Sequence, residues 1–260
     1  MIFLFYIVTG MFAGFLSGLL GIGGGLFIVP ALLMIFQWQH TITNHLMHLV
    51  IGTSLAIIII TSLRSLLAHM KYKVPFWDIY KPLFPGIVVG VMGGVILAHY
   101  LESKTLKIIF AIVLLLLALK LLLERGNKWQ FSLPNRFGMG VAGFLIGGKS
   151  GLLGLGGGAL IIPFLTSCSI SMRVALVASI ATSLTVSVVG TVGSILSGWY
   201  VSNLPQWSTG FVYWPAVFSI GLSSALFAPL GAKLSHRIPV NILKRIFAVF
   251  LLLIGIKMLV

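Results

Sequence analysis

Gly14-Phe-Leu-Ser-Gly-Leu-Leu-Gly-Ile-Gly-Gly-Gly-Leu-Phe-Ile-Val-Pro30 recurs as Gly147-Gly-Lys-Ser-Gly-Leu-Leu-Gly-Leu-Gly-Gly-Gly-Ala-Leu-Ile-Ile-Pro163. Two further echoes follow in the same order. Ile51-Gly-Thr-Ser-Leu55 returns as Ile180-Ala-Thr-Ser-Leu184, and Leu106-Lys-Ile-Ile-Phe-Ala111 returns as Leu243-Lys-Arg-Ile-Phe-Ala248. Three matches in one order make a duplication, the kind of internal repeat that decides an architecture before any local reading does. The spacing gives a first repeat over 1–124, a connecting loop over 125–136 and a second repeat over 137–260.

The repeated units are not soluble. Of the 260 residues, 59% are hydrophobic and 8% charged, where a soluble domain carries about 25% charged residues. Mean hydropathy is +1.15, and no Asp, Glu, Lys or Arg occurs from Met1 to Leu63. Such stretches read as transmembrane helices, so the expected fold is an all-α polytopic membrane protein. Each repeat divides into five helical pieces. They are expected at 2–20, 24–36, 46–67, 82–100 and 106–123, then at 137–152, 156–167, 173–197, 212–231 and 242–259. A span of hydrocarbon needs about 20 residues, which makes 24–36 and 156–167 half-spans. Each forms a helical hairpin with the piece before it, broken at glycine.

Charge gives the orientation. Seventeen Lys and Arg stand against three Asp and Glu, a net +14. In a soluble protein that excess would suggest nucleic acid, but here the basic residues lie between apolar runs, as the positive-inside rule expects. Arg64, Lys71, Lys73 and Lys81 surround the connection after the third piece, whereas its counterpart, Gly198 to Phe211, carries no charge. One connection later the bias reverses, with Lys233, Arg237, Lys244 and Arg245 facing only Lys104 and Lys107 in the first repeat. The two repeats are therefore expected to be inserted upside down relative to each other, with Arg125, Lys128 and Arg136 cytoplasmic and both termini outside. The acids, Asp78, Glu102 and Glu124, each lie near the end of an apolar run, so a cation path is poorly supplied with ligands. An anion path needs none.

The glycines carry the chemistry. Gly10, Gly14, Gly18 and Gly21 recur at small-residue spacing, as do Gly143, Gly147, Gly151 and Gly154, and that spacing assigns them to close helix packing. Packing does not account for three consecutive glycines, which weaken any helix they occupy. Gly23, Gly24 and Gly25, with Gly156, Gly157 and Gly158, are read as breaks that open peptide N–H groups to a substrate. The helix following each break presents its unpaired N–H groups and positive dipole end, an attraction for anions. Thr53-Ser54 and Thr182-Ser183 add hydroxyls at matching positions. Such side chains can instead bond back to their own helix. Lys149, deep in the second hairpin, either borders the anion path or snorkels to the headgroups.

Other patterns are rejected. Gly143-Phe-Leu-Ile-Gly-Gly-Lys-Ser150 matches a phosphate-loop pattern, but it lacks the strand before it and the acidic partner that such a loop requires. His45 and His48, with His40 nearby, have no Cys or acidic companions and fall short of a zinc set; they read as interfacial histidines. Cys168 alone cannot form an internal disulfide. With one Asp and two Glu, all at span ends, no catalytic arrangement is available, and neither a metal nor a cofactor is expected. Trp38, Trp77, Trp129, Trp199, Trp207 and Trp214 fall at span ends, as interfacial belt residues do.

The paired Gly-Leu-Leu-Gly-(Ile/Leu)-Gly-Gly-Gly-x4-Pro, the later Thr-Ser-Leu, and Ala68-His-Met-Lys-Tyr-Lys-Val74 resemble the sulfite exporter TauE/SafE family of membrane permeases. The likeness covers essentially the whole chain. It implies transport of sulfur-containing anions such as sulfite, thiosulfate or organosulfonates across a bacterial or archaeal inner membrane. Lys149 departs from the pattern, since the first repeat has Leu16 there. The expected function is a permease working by alternating access between its halves. Its partners are a small anion and the lipid bilayer. An anion channel of the same architecture and a non-transporting membrane scaffold are the alternatives. The lack of an acidic relay within the spans favours uniport or a proton carried on the substrate.

Overall fold

A computed structural model describes residues 2–21, 23–39, 43–123, 132–235 and 240–259. Ile22, His40, Glu124, Arg125, Lys128, Trp129 and Arg237 lie outside the described residues, as does most of the expected 125–136 connection. The first five helices are α1 (Ile2–Leu20), α2 (Gly25–Trp38), α3 (Leu46–Met70), α4 (Trp77–Tyr100) and α5 (Ser103–Leu123). The next five are α6 (Arg136–Leu153), α7 (Gly158–Ser167), α8 (Met172–Ser197), α9 (Trp214–Ser235) and α10 (Val240–Leu259). Among the described residues α1, α3, α4, α8 and α9 are long and apolar enough to cross a membrane. The protein is an integral, multi-pass, all-α membrane protein.

Helix partners exchange between the halves. α1 packs on α9 and α4 on α6; α3 lies against α8 and α9, α8 also against α4, and α5 against α10. Glycine makes the closest of these contacts possible. A Cβ on Gly147 would lie 2.5 Å from the Ile87 carbonyl oxygen, and one on Gly151 would lie 2.7 Å from that of Val91. On the other side, Cβ atoms on Gly10, Gly14 and Gly18 would collide with the α9 backbone at Ile220, Ser224 and Ala228. Small residues thus let backbones touch where lipid supplies no hydrophobic drive between helices. The Gly143–Ser150 stretch is continuous helix inside α6, and its glycines serve this packing.

The structure corrects several expectations. Gly21 and Gly154 do more than pack: both have positive φ, +68° and +69°, and end α1 and α6, while a Cβ on Gly21 would lie 2.8 Å from Leu176 Cγ and one on Gly154 2.7 Å from Ser54 Oγ. α4 starts at Trp77, ahead of Pro82, because ring contacts extend the helix toward its start. Tyr80 meets Phe76 at 6.2 Å, Trp77 at 5.8 Å and Phe84 at 5.9 Å between centroids, and this packing outweighs two prolines near the helix start. Ahead of α9, Ser208–Thr209 (β1) pairs antiparallel with Val212–Tyr213 (β2) across Gly210-Phe211, with φ +54° at Gly210. A positive φ at the first loop residue is what a II′ hairpin turn requires. His48 is buried rather than interfacial: its Nε2 lies 2.9 Å from the Ala98 carbonyl, joining α3 to α4.

Candidate functional site

Two glycine turns meet in the centre of the molecule. Gly23 and Gly24 have φ of +71° and +78°, and Gly156 and Gly157 have φ of +74° and +81°. These are left-handed conformations that only glycine adopts without strain. Gly24 and Gly157 are the residues before α2 and α7, and each starts its helix in the same way. The Gly24 carbonyl accepts from Phe27 and Ile28, and the Gly157 carbonyl accepts from Leu160 and Ile161. The remaining N–H groups of each first turn have no partner within their own helix. Gly21, Gly23 to Gly25 and Gly154 to Gly158 are all buried.

The breaks touch. A Cβ on Gly25 would lie 2.7 Å from the Leu155 carbonyl oxygen and 2.8 Å from that of Gly154. Ser183 and Ile58 stand between them. A Cβ on Gly23 would sit 2.9 Å from Ser183 Oγ and 3.3 Å from Ile58 Cγ2, and one on Gly156 would sit 3.7 Å from Ser183 Cβ and 3.2 Å from Ile58 Cγ2. The inner walls are α3 and α8.

Those walls treat their hydroxyls differently. On α3, Ser54 Oγ donates to the carbonyls of Ile51 (2.8 Å) and Gly154 (3.1 Å), while Thr53 Oγ1 accepts the Tyr213 N–H at 3.0 Å. On α8, Ser179 Oγ donates to the Gly21 carbonyl at 2.6 Å and to Leu176. Ser54 and Ser179 therefore satisfy the carbonyl ends of the two broken helices from across the molecule. Thr182 Oγ1, Ser183 Oγ and Ser150 Oγ are fully buried and have no hydrogen-bond partner among the described residues. A buried hydroxyl left unpaired costs about 1–3 kcal/mol, and such a group calls for an explanation. Farther along α8, the Thr185 hydroxyl meets the Tyr80 hydroxyl.

The eleven residues singled out by sequence thus separate. Gly23, Gly24, Gly25, Gly156, Gly157, Gly158, Thr182 and Ser183 come together; Thr53 and Ser54 lie beside them with their hydroxyls engaged. Lys149 is exposed, in a crevice of about 910 Å³ between α5, α6 and α7 whose lining also includes Leu153 and Leu160, beside the second break. Ser150 and Ser179 were missed. Ser150 had a visible signal, since it matches Ser17 within the quoted repeat. Ser179 had none, because its counterpart in α3 is Val50.

Residues 6–258 match the model of the sulfite exporter TauE/SafE family. The chain belongs to this family. Relatives agree on the general role. A "Probable membrane transporter protein" of Haemophilus influenzae is 35% identical, covering 97% of this chain and 96% of its own. "Probable membrane transporter protein YunE" of Bacillus subtilis is 26% identical over 99% and 97%. A probable membrane transporter of Methanocaldococcus jannaschii is 25% identical over 97% and 94%. No solved structure matches. This TauE/SafE protein is a membrane transporter, and the buried glycine turns are its candidate substrate site.

Proposed function

We propose that this TauE/SafE protein is a secondary permease for small sulfur-containing anions, among them sulfite, thiosulfate and organosulfonates, in a bacterial or archaeal cytoplasmic membrane. The observation that carries this reading is the junction of two buried glycine turns, each opening a helix whose first N–H groups face the break. Irregular backbone at membrane depth is tolerated only inside protein or along a wet path, and helix N-termini attract anions.

The pairing of the halves supports alternating access. With α1–α2 and α6–α7 taken as re-entrant hairpins, Arg64, Lys71, Lys73, Lys81, Arg136, Arg173 and Lys233 gather at one membrane face, while Lys104, Lys107 and Lys257 lie at the other. That distribution supports a cytoplasmic basic face and a reading of the repeats 1–124 and 137–260 as inverted copies. The reciprocal pairing of α1 with α9 and of α4 with α6 supports the same symmetry. Rocking one half against the other would expose the central breaks to each side in turn.

Reconstituted vesicles test the reading. Sulfite or sulfonate flux is expected to saturate with concentration, and Gly24→Val and Gly157→Val are expected to abolish it while the protein still inserts. Normal flux through either inserted variant removes the breaks from the path. Non-saturating flux with single-channel current moves the protein to the channel class.

A further inference from the structure

We infer that the central site takes a singly charged oxyanion, a sulfonate or hydrogensulfite, and holds its oxygens with Ser183, Thr182 and Ser150 of the second repeat, discriminating against dianions such as sulfate and thiosulfate. This narrows the permease reading, placing thiosulfate below the sulfonates and hydrogensulfite within the proposed substrate class, and rests on the breaks being the anion site.

The site's electrostatics carry the first half of the inference. For Gly21, Gly23 to Gly25, Gly154, Gly156 and Gly157, none of the atoms nearest to an added Cβ belongs to a titratable side chain. α2 and α7 contain no titratable residue. On α3 and α4, His48 is engaged by the Ala98 carbonyl, His69 by the Gly18 carbonyl and Tyr80 by Thr185. Arg64, Asp78, Lys81 and His99 lie toward the helix ends; so do Arg136 on α6 and Arg173 on α8. Lys149 is exposed in its crevice. What remains is the helix starts. Each N-terminus is equivalent to roughly half a positive charge, so α2 and α7 together offer at most about one. The carbonyl ends of α1 and α6 lie at the same breaks and lower that figure, although Ser54 and Ser179 satisfy their last carbonyls. One negative charge can be balanced there. A second cannot, and the desolvation term of a dianion is about fourfold that of a monoanion because it grows with the square of the charge.

The hydroxyls carry the second half. Ser54 already directs its proton at two carbonyls and Thr53 holds the Tyr213 N–H. Among the described residues their repeat partners Ser183 and Thr182 have no hydrogen-bond partner; both are fully buried, with Ser183 Oγ 2.9 Å from a Cβ built on Gly23, Ser150 Oγ 3.6 Å from one built on Gly157, and the Thr182 Cγ2 methyl 3.1 Å from the latter. The duplicated Thr-Ser pair has thus divided its labour: the first-repeat pair serves the fold and the second-repeat pair is left to donate to substrate oxygens. Three O–H donors suit the three oxygens of a sulfonate, and an O–H donor to a charged acceptor makes a strong hydrogen bond.

The test uses the purified full-length protein in detergent, titrated with methanesulfonate, sulfate and thiosulfate, and with sulfite on either side of neutrality, where sulfite loses its proton. Methanesulfonate is expected to bind at least about tenfold tighter than either dianion. Sulfite affinity is expected to fall as pH rises, while methanesulfonate affinity stays level. Ser183→Ala is expected to weaken methanesulfonate about ten- to a hundredfold. Should that variant not fold, the wild-type pH profile and dianion comparison decide. Sulfate binding as tightly as methanesulfonate, or sulfite binding that strengthens with pH, overturns the inference and leaves the breaks as an anion site. Unchanged affinity in folded Ser183→Ala and Thr182→Val overturns the hydroxyl assignment. No binding by any anion, together with normal flux in Gly157→Val, overturns both the inference and the permease reading.

Discussion

Gly157→Ala adds a single methyl at the start of α7 and separates the binding role of the break from its structural one. Two terms set its effect on stability. Ala must hold φ +81°, a left-handed conformation that costs an L-residue about 1–2 kcal/mol. The new Cβ lies 3.1 Å from both Thr182 Cγ2 and Val186 Cγ2, a crowding that a shift of a few tenths of an ångström relieves. The sum is a small fraction of the roughly 5–15 kcal/mol that holds a typical domain, so the variant is expected to fold with a lowered melting temperature. Its effect on binding is larger. The methyl sits 3.6 Å from Ser150 Oγ, on the side of the break that faces the Thr182 and Val186 methyls, where it would crowd an oxygen bound by Ser150 and the α7 N–H groups. Losing one charge-assisted hydrogen bond weakens binding by about 1.5–3 kcal/mol, or roughly ten- to a hundredfold. Titration of methanesulfonate into detergent-purified wild type and variant reads that loss, and a melting curve on the same samples reads stability. Gly93→Ala provides the control, since nothing lies within 4 Å of a Cβ built there. A folded Gly157→Ala with wild-type affinity would refute the assignment of the break to substrate.

Three further outcomes are expected. In a Cys168→Ser background, an impermeant thiol reagent outside intact cells labels a cysteine at Ser202 and spares one at Lys73; labelling of both from one side rejects the inverted arrangement. Native background is low, because Cys168 is buried and burial pushes its thiol pKa up. Gly151→Ala, which puts a Cβ 2.7 Å from the Val91 carbonyl oxygen, is expected to destabilise by about 1–3 kcal/mol through overpacking of α4 on α6, whereas Gly93→Ala stabilises by up to about 1 kcal/mol through helix propensity. Equal melting temperatures for the two would contradict the packing role. Lys149→Met is expected to keep near-normal affinity with reduced expression, as a lysine reaching the headgroups from its crevice requires; a clear loss of affinity puts it in the anion path.

Local chemistry and repetition were enough to locate the helices and the breaks. The duplicated glycine segment, the uncharged runs and the alternation of basic and neutral connections are one-dimensional signals, and among the described residues the helices α1 to α10 lie close to where they place them. Most discrepancies arose where a tertiary contact outweighed a local preference. The ring contacts of Tyr80 carry the start of α4 back to Trp77, ahead of Pro82. Spacing alone put Gly21 and Gly154 on the packing stripe, although their φ angles belong to the turns.

Which hydroxyls remain free is a different kind of question. Thr53-Ser54 and Thr182-Ser183 are identical as sequence, and no periodicity distinguishes them. Ser54 is engaged because it reaches a carbonyl 100 residues away, at Gly154, and Thr53 because the β1–β2 hairpin brings the Tyr213 N–H to it. In the second half Ser179 takes the corresponding carbonyl, at Gly21, and Ser183 is released. The sequence by itself determined a duplicated, membrane-embedded, all-helical chain with two glycine breaks, because hydrophobicity, charge and glycine act residue by residue. Only the tertiary structure decided that the breaks touch, and that one Thr-Ser pair is spent on the fold while the other is not. Hydrogen-bond satisfaction is a property of neighbours in space, and those neighbours come from the opposite repeat.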